Sequence, residues 1–446
     1  MKKLVAVLLA IMLLASMCFG MTACGSTSAP AADSVDAAPA AEDASGGSPY
    51  AGETIEFWDM AWGSDSARYE AEAKKIIDAF TAETGIIVNY TAVPWTNWYE
   101  TFVTAVASNT NPDISTGSGY QAFQFSALGY IEPLDDVYEE LEASGELQGF
   151  MTRALDLMYY DGHYRALPWM ADVRGLLYNK TMLDENGIDV PTNWDELEAA
   201  CVKLSEAGIY GFAIPSDSAG KQTVYQFAYN NGGGVMTADG QVSVYCDENR
   251  EAVAFLARLG EKGCLYPAAA GMTGSETQAA FLNGEFCFMI TTPALAEANY
   301  DLVDFEIGVA EPLAAPNGNH GGFFSANNIM IYANSEHKEA AKEFLKYWSA
   351  NELPMFTKGT ASGIPVRAEF YEDPYFSESK FLTMAFNEFI PIGGNAVWRM
   401  TSNFPEANDL DGLTEWTALA QGITMGEDAD ALLKAVDDAA REVMGQ

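Results

Sequence analysis

Asp172 and Arg174, charges of opposite sign separated only by Val173, are the residues best placed to do chemistry in this sequence. They fall on one face of an extended run ending in Leu176, Leu177 and Tyr178, because strand side chains alternate sides. A stiff turn, Leu167-Pro168, precedes them with Trp169 beside it. Such a set can grip a polar ligand: hydroxyls take planar carboxylates, amides and guanidinium groups, while C–H faces stack on rings. An ordinary solvated ion pair has the same composition. The pair alone therefore marks a place to hold something without saying what.

Other chemistries have weaker claims. His163, His320 and His337 lie far apart, and none has metal-ligand spacing, so no metal or other cofactor is expected. Ala219-Gly220-Lys221-Gln222 has the look of a phosphate loop, but Pro215 stands where the first glycine belongs and Gln222 where Ser or Thr must be. No G-x-S-x-G elbow occurs. Among 63 acids, carboxylate pairs arise by chance, so they do not make a glycosidase. The expectation is a binding protein, not an enzyme.

Tryptophans carry more information. Trp98, Trp194 and Trp348 sit at helical spacing and are assigned to cores. Trp62, Trp169 and Trp398 fall in loops or crossings, where a rigid scaffold displays binding residues.

The whole chain has 446 residues, enough for two domains, and 49% hydrophobic content, as in a globular protein. Its formal charge of −40 argues against nucleic acid and against an acidic membrane surface. Residues 1–23 read as a signal peptide: Lys2 and Lys3 precede an apolar run from Leu4 to Ala15, too short to span a bilayer. Met21-Thr22-Ala23-Cys24-Gly25 is similar to a bacterial lipobox, which implies lipidation of Cys24; bulky Met17 makes Cys18 the poorer site. Residues 24–52, rich in Ala, Ser, Pro and Gly, then form a flexible tether. Cys201, Cys246, Cys264 and Cys287 remain, allowing three disulfide connectivities or buried free thiols.

Strands and helices alternate through the first part of the fold. Thr54–Trp58 is a strand; Ala73, Ile76, Ile77 and Phe80 mark a helix ended by Gly85; Ile86–Val93 is a strand; a helix spans residues 96–108; and Asp113-Ile114 leads into a loop at 116–120. This order predicts an α/β fold with a mainly parallel sheet flanked by helices. In such sheets ligands sit beyond the carboxyl ends of the strands, which gathers Asp59, Trp62 and the 116–121 loop at one rim. Further on, 192–207 is a helix, 209–214 a strand, 215–222 a polar loop, 223–229 a helix and 335–348 an amphipathic helix.

The pattern P-x-x-x-D-x-R-x-L-x-YNK from Pro168 to Lys180, followed by G-x-x-x-P-x-x-WDEL, resembles the extracellular solute-binding proteins of ABC importers. The sugar-binding family that includes maltose-binding protein is the match. AETGI at 82–86, NPDI at 111–114, LGYIEPLD at 128–135, TQAAFLNGEFCFM at 277–289 and GTASGIPVR at 359–367 support it. The resemblance implies a two-lobed periplasmic-binding-protein-like fold with three hinge crossings, an N-lobe of 53–169 and 327–358, and a C-lobe of 173–322 and 364–446. It implies ligand contacts from Asp59, Trp62, Ser118, Tyr120, Gln121, Asp172, Arg174, Gln222, Tyr225 and Trp398; Trp169 is added to the expected contacts from its place beside the Leu167-Pro168 turn. The partners implied are a small sugar, the transmembrane subunits of a permease and, through Cys24, the membrane, with the protein itself a monomer. Thr291-Thr292-Pro293-Ala294 lacks a tryptophan the family often has near there, which favours a mono- or short oligosaccharide. A cationic solute such as a polyamine held by Asp59 and Asp172 is the alternative, and Arg174 counts against it; a surface protein acting on polysaccharide is a third.

Overall fold

The structure, a computed structural model, describes residues 47–63, 65–95, 98–395, 399–400 and 403–446. The signal peptide, Cys24, most of the tether and Trp398 lie outside the described residues. In chain order the strands that matter here are β1 (Thr54–Met60), β2 (Ile87–Val93), β3 (Ile114–Gly117), β4 (Leu167–Val173), β5 (Gly175–Asn179), β6 (Tyr210–Ala213), β7 (Phe286–Thr291), β8 (Ile307–Val309), β9 (Gly322–Ile331), β10 (Ile364–Pro365) and β11 (Gly393–Gly394). They form two sheets, β10-β4-β9-β3-β1-β2 with β11 on β9, and β8-β5-β7-β6. Each sheet is the centre of one lobe.

Local chemistry explains the elements. In β1, Ile55 and Phe57 are buried and Glu56 is exposed, the alternation of a half-covered strand. Helix α1 (Ser66–Thr84) is capped by Asp65, which accepts from Arg68 N, and stops at Gly85, whose φ of 78° suits glycine. Helices α2 (Trp98–Ser108) and α3 (Gln121–Ala127) complete this side of the first lobe. In the second lobe, α4 (Trp194–Glu206) buries Trp194, whose Nε1 donates to Asn230 Oδ1 at 2.7 Å. Helix α5 (Ser218–Asn230) begins five residues before the spacing predicts, because Asp217 caps it by accepting from Ala219 N at 2.9 Å.

The sheets are mixed, not mainly parallel. β1 runs parallel to β2 and β3, joined within the lobe by helices, but β9 is antiparallel to β3 and β4, and β5 is antiparallel to β7 and β8. A strand that enters from the other lobe comes in at the opposite end of the sheet, so it pairs antiparallel. β4 ends at Val173 and β5 starts at Gly175, so Arg174 is where the chain passes from one sheet to the other. β10 and β11, which the sequence places in the C-lobe, pair instead with β4 and β9 of the first sheet. Glycine permits the close approach of β11: a Cβ on Gly393 would stand 2.3 Å from Phe324 Cβ. Helices α6 (Thr414–Met425) and α7 (Ala429–Met444) then pack on the second lobe.

Cys201, Cys246, Cys264 and Cys287 are free thiols, all but Cys246 buried. Burial pushes the Cys287 thiol up to about 12 and raises Cys201 and Cys264 as well. Since the thiolate is the reactive form, these three are expected to ignore Ellman's reagent at pH 8 in the folded protein and to react once it is denatured. Rapid native labelling of more than Cys246 would contradict their burial. Among the described residues no helix is long and apolar enough to cross a membrane, and no group of three or more His, Cys, Asp or Glu is placed to hold a metal ion.

Candidate ligand cleft between the lobes

A cavity of about 960 Å³ lies between the lobes. Strand β4 and residue 174 form its floor. Met170, Asp172 and Arg174 share one parity and line it, whereas Leu167, Trp169, Ala171 and Val173 have the other parity and are buried. Arg174 Nη1 is paired with Asp172 Oδ1 and donates to Val173 O at 3.2 Å. Its Nε and Nη2 both donate to Gln222 Oε1, at 3.0 and 2.6 Å. Gln222 comes from α5, so the fork ties the crossing strand to the second lobe. Burial raises the Asp172 carboxyl from its ordinary range, and Arg174 works against that rise. The pair leaves Asp172 Oδ2 as an acceptor and the Gln222 amide as a donor, which is what a hydroxyl group needs on its two sides.

One wall is aromatic. Ring centroids of Trp62 and Trp95 stand 4.9 Å apart, Trp95 and Trp98 6.0 Å, and Trp98 and Tyr99 5.8 Å, each edge to face. Trp95 Nε1 donates to Ala61 O at 2.8 Å while 44% of the residue stays exposed. Ser118 and Tyr120 follow β3 on the same lobe. Across the cleft, Tyr225 stacks near Phe323, with centroids 6.2 Å apart and planes 17° apart, and meets Trp416 edge on. Lys221 is neutralised by Asp411 at 2.9 Å.

Of the residues expected at the ligand, Trp62, Ser118, Tyr120, Asp172, Arg174, Gln222 and Tyr225 line this cavity. Asp59, Gln121 and Trp169 do not. Asp59 is still inside β1 and fully buried; its carboxylate accepts from Thr116 Oγ1 at 2.7 Å and Tyr90 Oη at 3.2 Å. Thr116 Oγ1 in turn accepts from Trp62 Nε1 at 3.1 Å, so Asp59 stands behind the wall ring. Gln121 turns into the first lobe and is fully buried, and Trp169 packs on Trp62 and Phe356. Trp398 lies outside the described residues.

Trp98, assigned to a core from its spacing, lines the cleft; Trp95, a candidate only as one of the nine tryptophans, lines it too, and Tyr99 was missed. A signal existed: Trp95, Trp98 and Tyr99 crowd into five residues just past the carboxyl end of β2, where ligands of open α/β sheets lie. Alanine at Trp95 is expected to weaken binding of the cleft ligand about 5- to 10-fold, the worth of one ring contact, with little change in melting temperature because the ring is half exposed. Titration and thermal melting of the variant check this.

Two lobes around a lined cleft define a solute-binding protein. Consistently, the family model for bacterial extracellular solute-binding proteins matches residues 63–353, and the chain belongs to that family. A sugar transporter from Arthrobacter chlorophenolicus A6, solved with bound laminaribiose, is 33% identical with a TM-score of 0.81, covering 87% of this chain and 99% of that one. A binding protein of Brucella abortus is 28% identical over 378 residues, 82% of this chain and 87% of its own. Maltose-bound MalE3 of T. maritima shares the fold with a TM-score of 0.72 at 22% identity, covering 88% of this chain and 99% of that one.

Proposed function

We propose that this protein captures a mono- or short oligosaccharide between its lobes and delivers it to the permease of an ABC importer. The carrying observation is the cleft itself: an aromatic wall faces a floor where Asp172, Arg174 and Gln222 present an acceptor and donors to hydroxyls. Its volume of about 960 Å³ is at the upper end for small-molecule sites, which favours more than one sugar ring. Closure follows from the division of contacts. The aromatic wall and Asp172 belong to the first lobe and Gln222 and Tyr225 to the second, so one ligand touches both sets only when the lobes meet and stabilises the closed form by its differential affinity.

The lobes we assign are 53–169 with 327–358, and 173–322 with 364–446, modified by the return of β10 and β11 to the first sheet. Cys24 is the proposed lipid anchor on the outer face of the membrane, with 24–52 as its tether and the protein a monomer. The polyamine alternative rested on Asp59 and Asp172 acting together; Asp59 is buried behind Thr116 and Asp172 is paired to Arg174, so these two do not form a cation site. Titration calorimetry with neutral mono-, di- and trisaccharides and with spermidine, at low and high salt, tests the reading. Saccharide binding that ignores ionic strength is expected; salt-sensitive spermidine binding with no saccharide heat would overturn it.

A further inference from the structure

Gln124, on α3, is outside the cavity lining, yet three side chains converge on its amide. Its Nε2 donates to Tyr99 Oη at 2.9 Å and to Asp409 Oδ1 at 3.0 Å, and its Oε1 accepts from Asn408 Nδ2 at 2.9 Å. Tyr99 and Gln124 belong to the first lobe. Asn408 and Asp409 lie on a short helix, Ala407–Asp411, that is fastened to the second lobe. Lys221 Nζ reaches Asp411 at its carboxylate and its main-chain oxygen, at 2.9 and 2.8 Å, and Trp416 Nε1 donates to Leu410 O at 3.2 Å. One amide therefore links the lobes without touching the floor of the cleft.

The link stands at the Tyr99 end of the row that runs from Trp62 through Trp95 and Trp98. A ligand that stops short of Tyr99 leaves it whole. Asn408 and Asp409 themselves line the cavity, so a ligand that reaches past Tyr99 meets the link, one of whose bonds goes to a carboxylate, the stronger kind.

We propose that Gln124 is the positioning residue of an interlobe clasp, and that this clasp limits the length of sugar the closed cleft retains. The length limit rests on the sugar reading above; the clasp itself does not. By holding the lobes together it enlarges the binding-competent fraction and so raises apparent affinity for short sugars.

The test compares wild type with Gln124→Leu, using small-angle scattering without sugar and stopped-flow tryptophan fluorescence with laminaribiose and laminaripentaose. The variant is expected to have a larger radius of gyration without sugar. It is also expected to release laminaribiose about 5- to 20-fold faster at an unchanged association rate, and to show a reduced preference for laminaribiose over laminaripentaose. An unchanged radius together with an unchanged preference overturns the proposal. If neither sugar binds either protein, the sugar reading fails for this series, and the sugar-free radius alone decides the clasp. Asp409→Ser, at an exposed position, repeats the scattering measurement should Gln124→Leu destabilise α3.

Discussion

Alanine at Asp172 is expected to lower sugar affinity about 100-fold while the lobes still fold. Two losses combine. The cleft loses the carboxylate acceptor on its floor, and Arg174 loses the partner that holds its guanidinium against Gln222. Both side chains are more than four-fifths buried, at 18% and 14% exposure, so the orphaned charge is poorly solvated. Truncating a buried, hydrogen-bonded charge at a binding site costs about 2–5 kcal/mol of binding free energy, against roughly 1.4 kcal/mol for each tenfold in affinity. Asparagine at the same position separates the two effects: it keeps the shape and an acceptor but surrenders the charge, and should fall between wild type and alanine. Calorimetry of the three proteins checks the order. Equal affinities would remove Asp172 from the site.

Asn in place of Asp59 is expected to stabilise the protein by roughly 4 kcal/mol at pH 8 and to do nothing near pH 4. Burial pushes the Asp59 carboxyl up from 3.8 to about 7, although the hydroxyls of Thr116, Tyr69 and Tyr90 pull the other way. Folded protein thus holds this proton more tightly than the unfolded chain. The favourable contribution is fully present below about pH 3.8 and is lost as pH rises to about 7, at about 1.4 kcal/mol per pH unit. Buried Glu352 shifts in the same direction, so wild type alone would not isolate Asp59. The difference between wild type and Asp59→Asn in denaturant melts at pH 4 and pH 8 does isolate it. Asn still accepts from Thr116 and keeps Trp62 in place, so sugar affinity should hold within about 3-fold. A variant no more stable at pH 8, or one that loses sugar, contradicts a buried carboxyl standing behind the wall.

Asp59 also shows where reasoning from sequence stops. The rule that ligands lie beyond strand ends chose the right loop, since Trp62 is in the cleft, but β1 continues to Met60 and keeps Asp59 inside the sheet. Period-2 alternation put Asp172 and Arg174 on one face; the same parity, carried back, sends Trp169 to the opposite side. Helix spacing made Trp98 look like a core residue, because periodicity reports that a face is covered and not by what. Neither the mixed sheets nor the pairing of Lys221 with Asp411, 190 residues on, leaves a local trace. They arise from the chain passing repeatedly between lobes. The helices, strands and α/β class were legible because each is set by near neighbours, whereas the two-lobed form was legible only through the family resemblance.

Co-crystallisation with the tightest-binding neutral saccharide tests the central claim most directly. A sugar ring against Trp62 or Trp95, with a hydroxyl within hydrogen-bonding distance of Asp172 Oδ2 and both lobes in contact with the ligand, is the predicted result. A ligand bound to one lobe alone, or held away from the floor made by Asp172, Arg174 and Gln222, would contradict it.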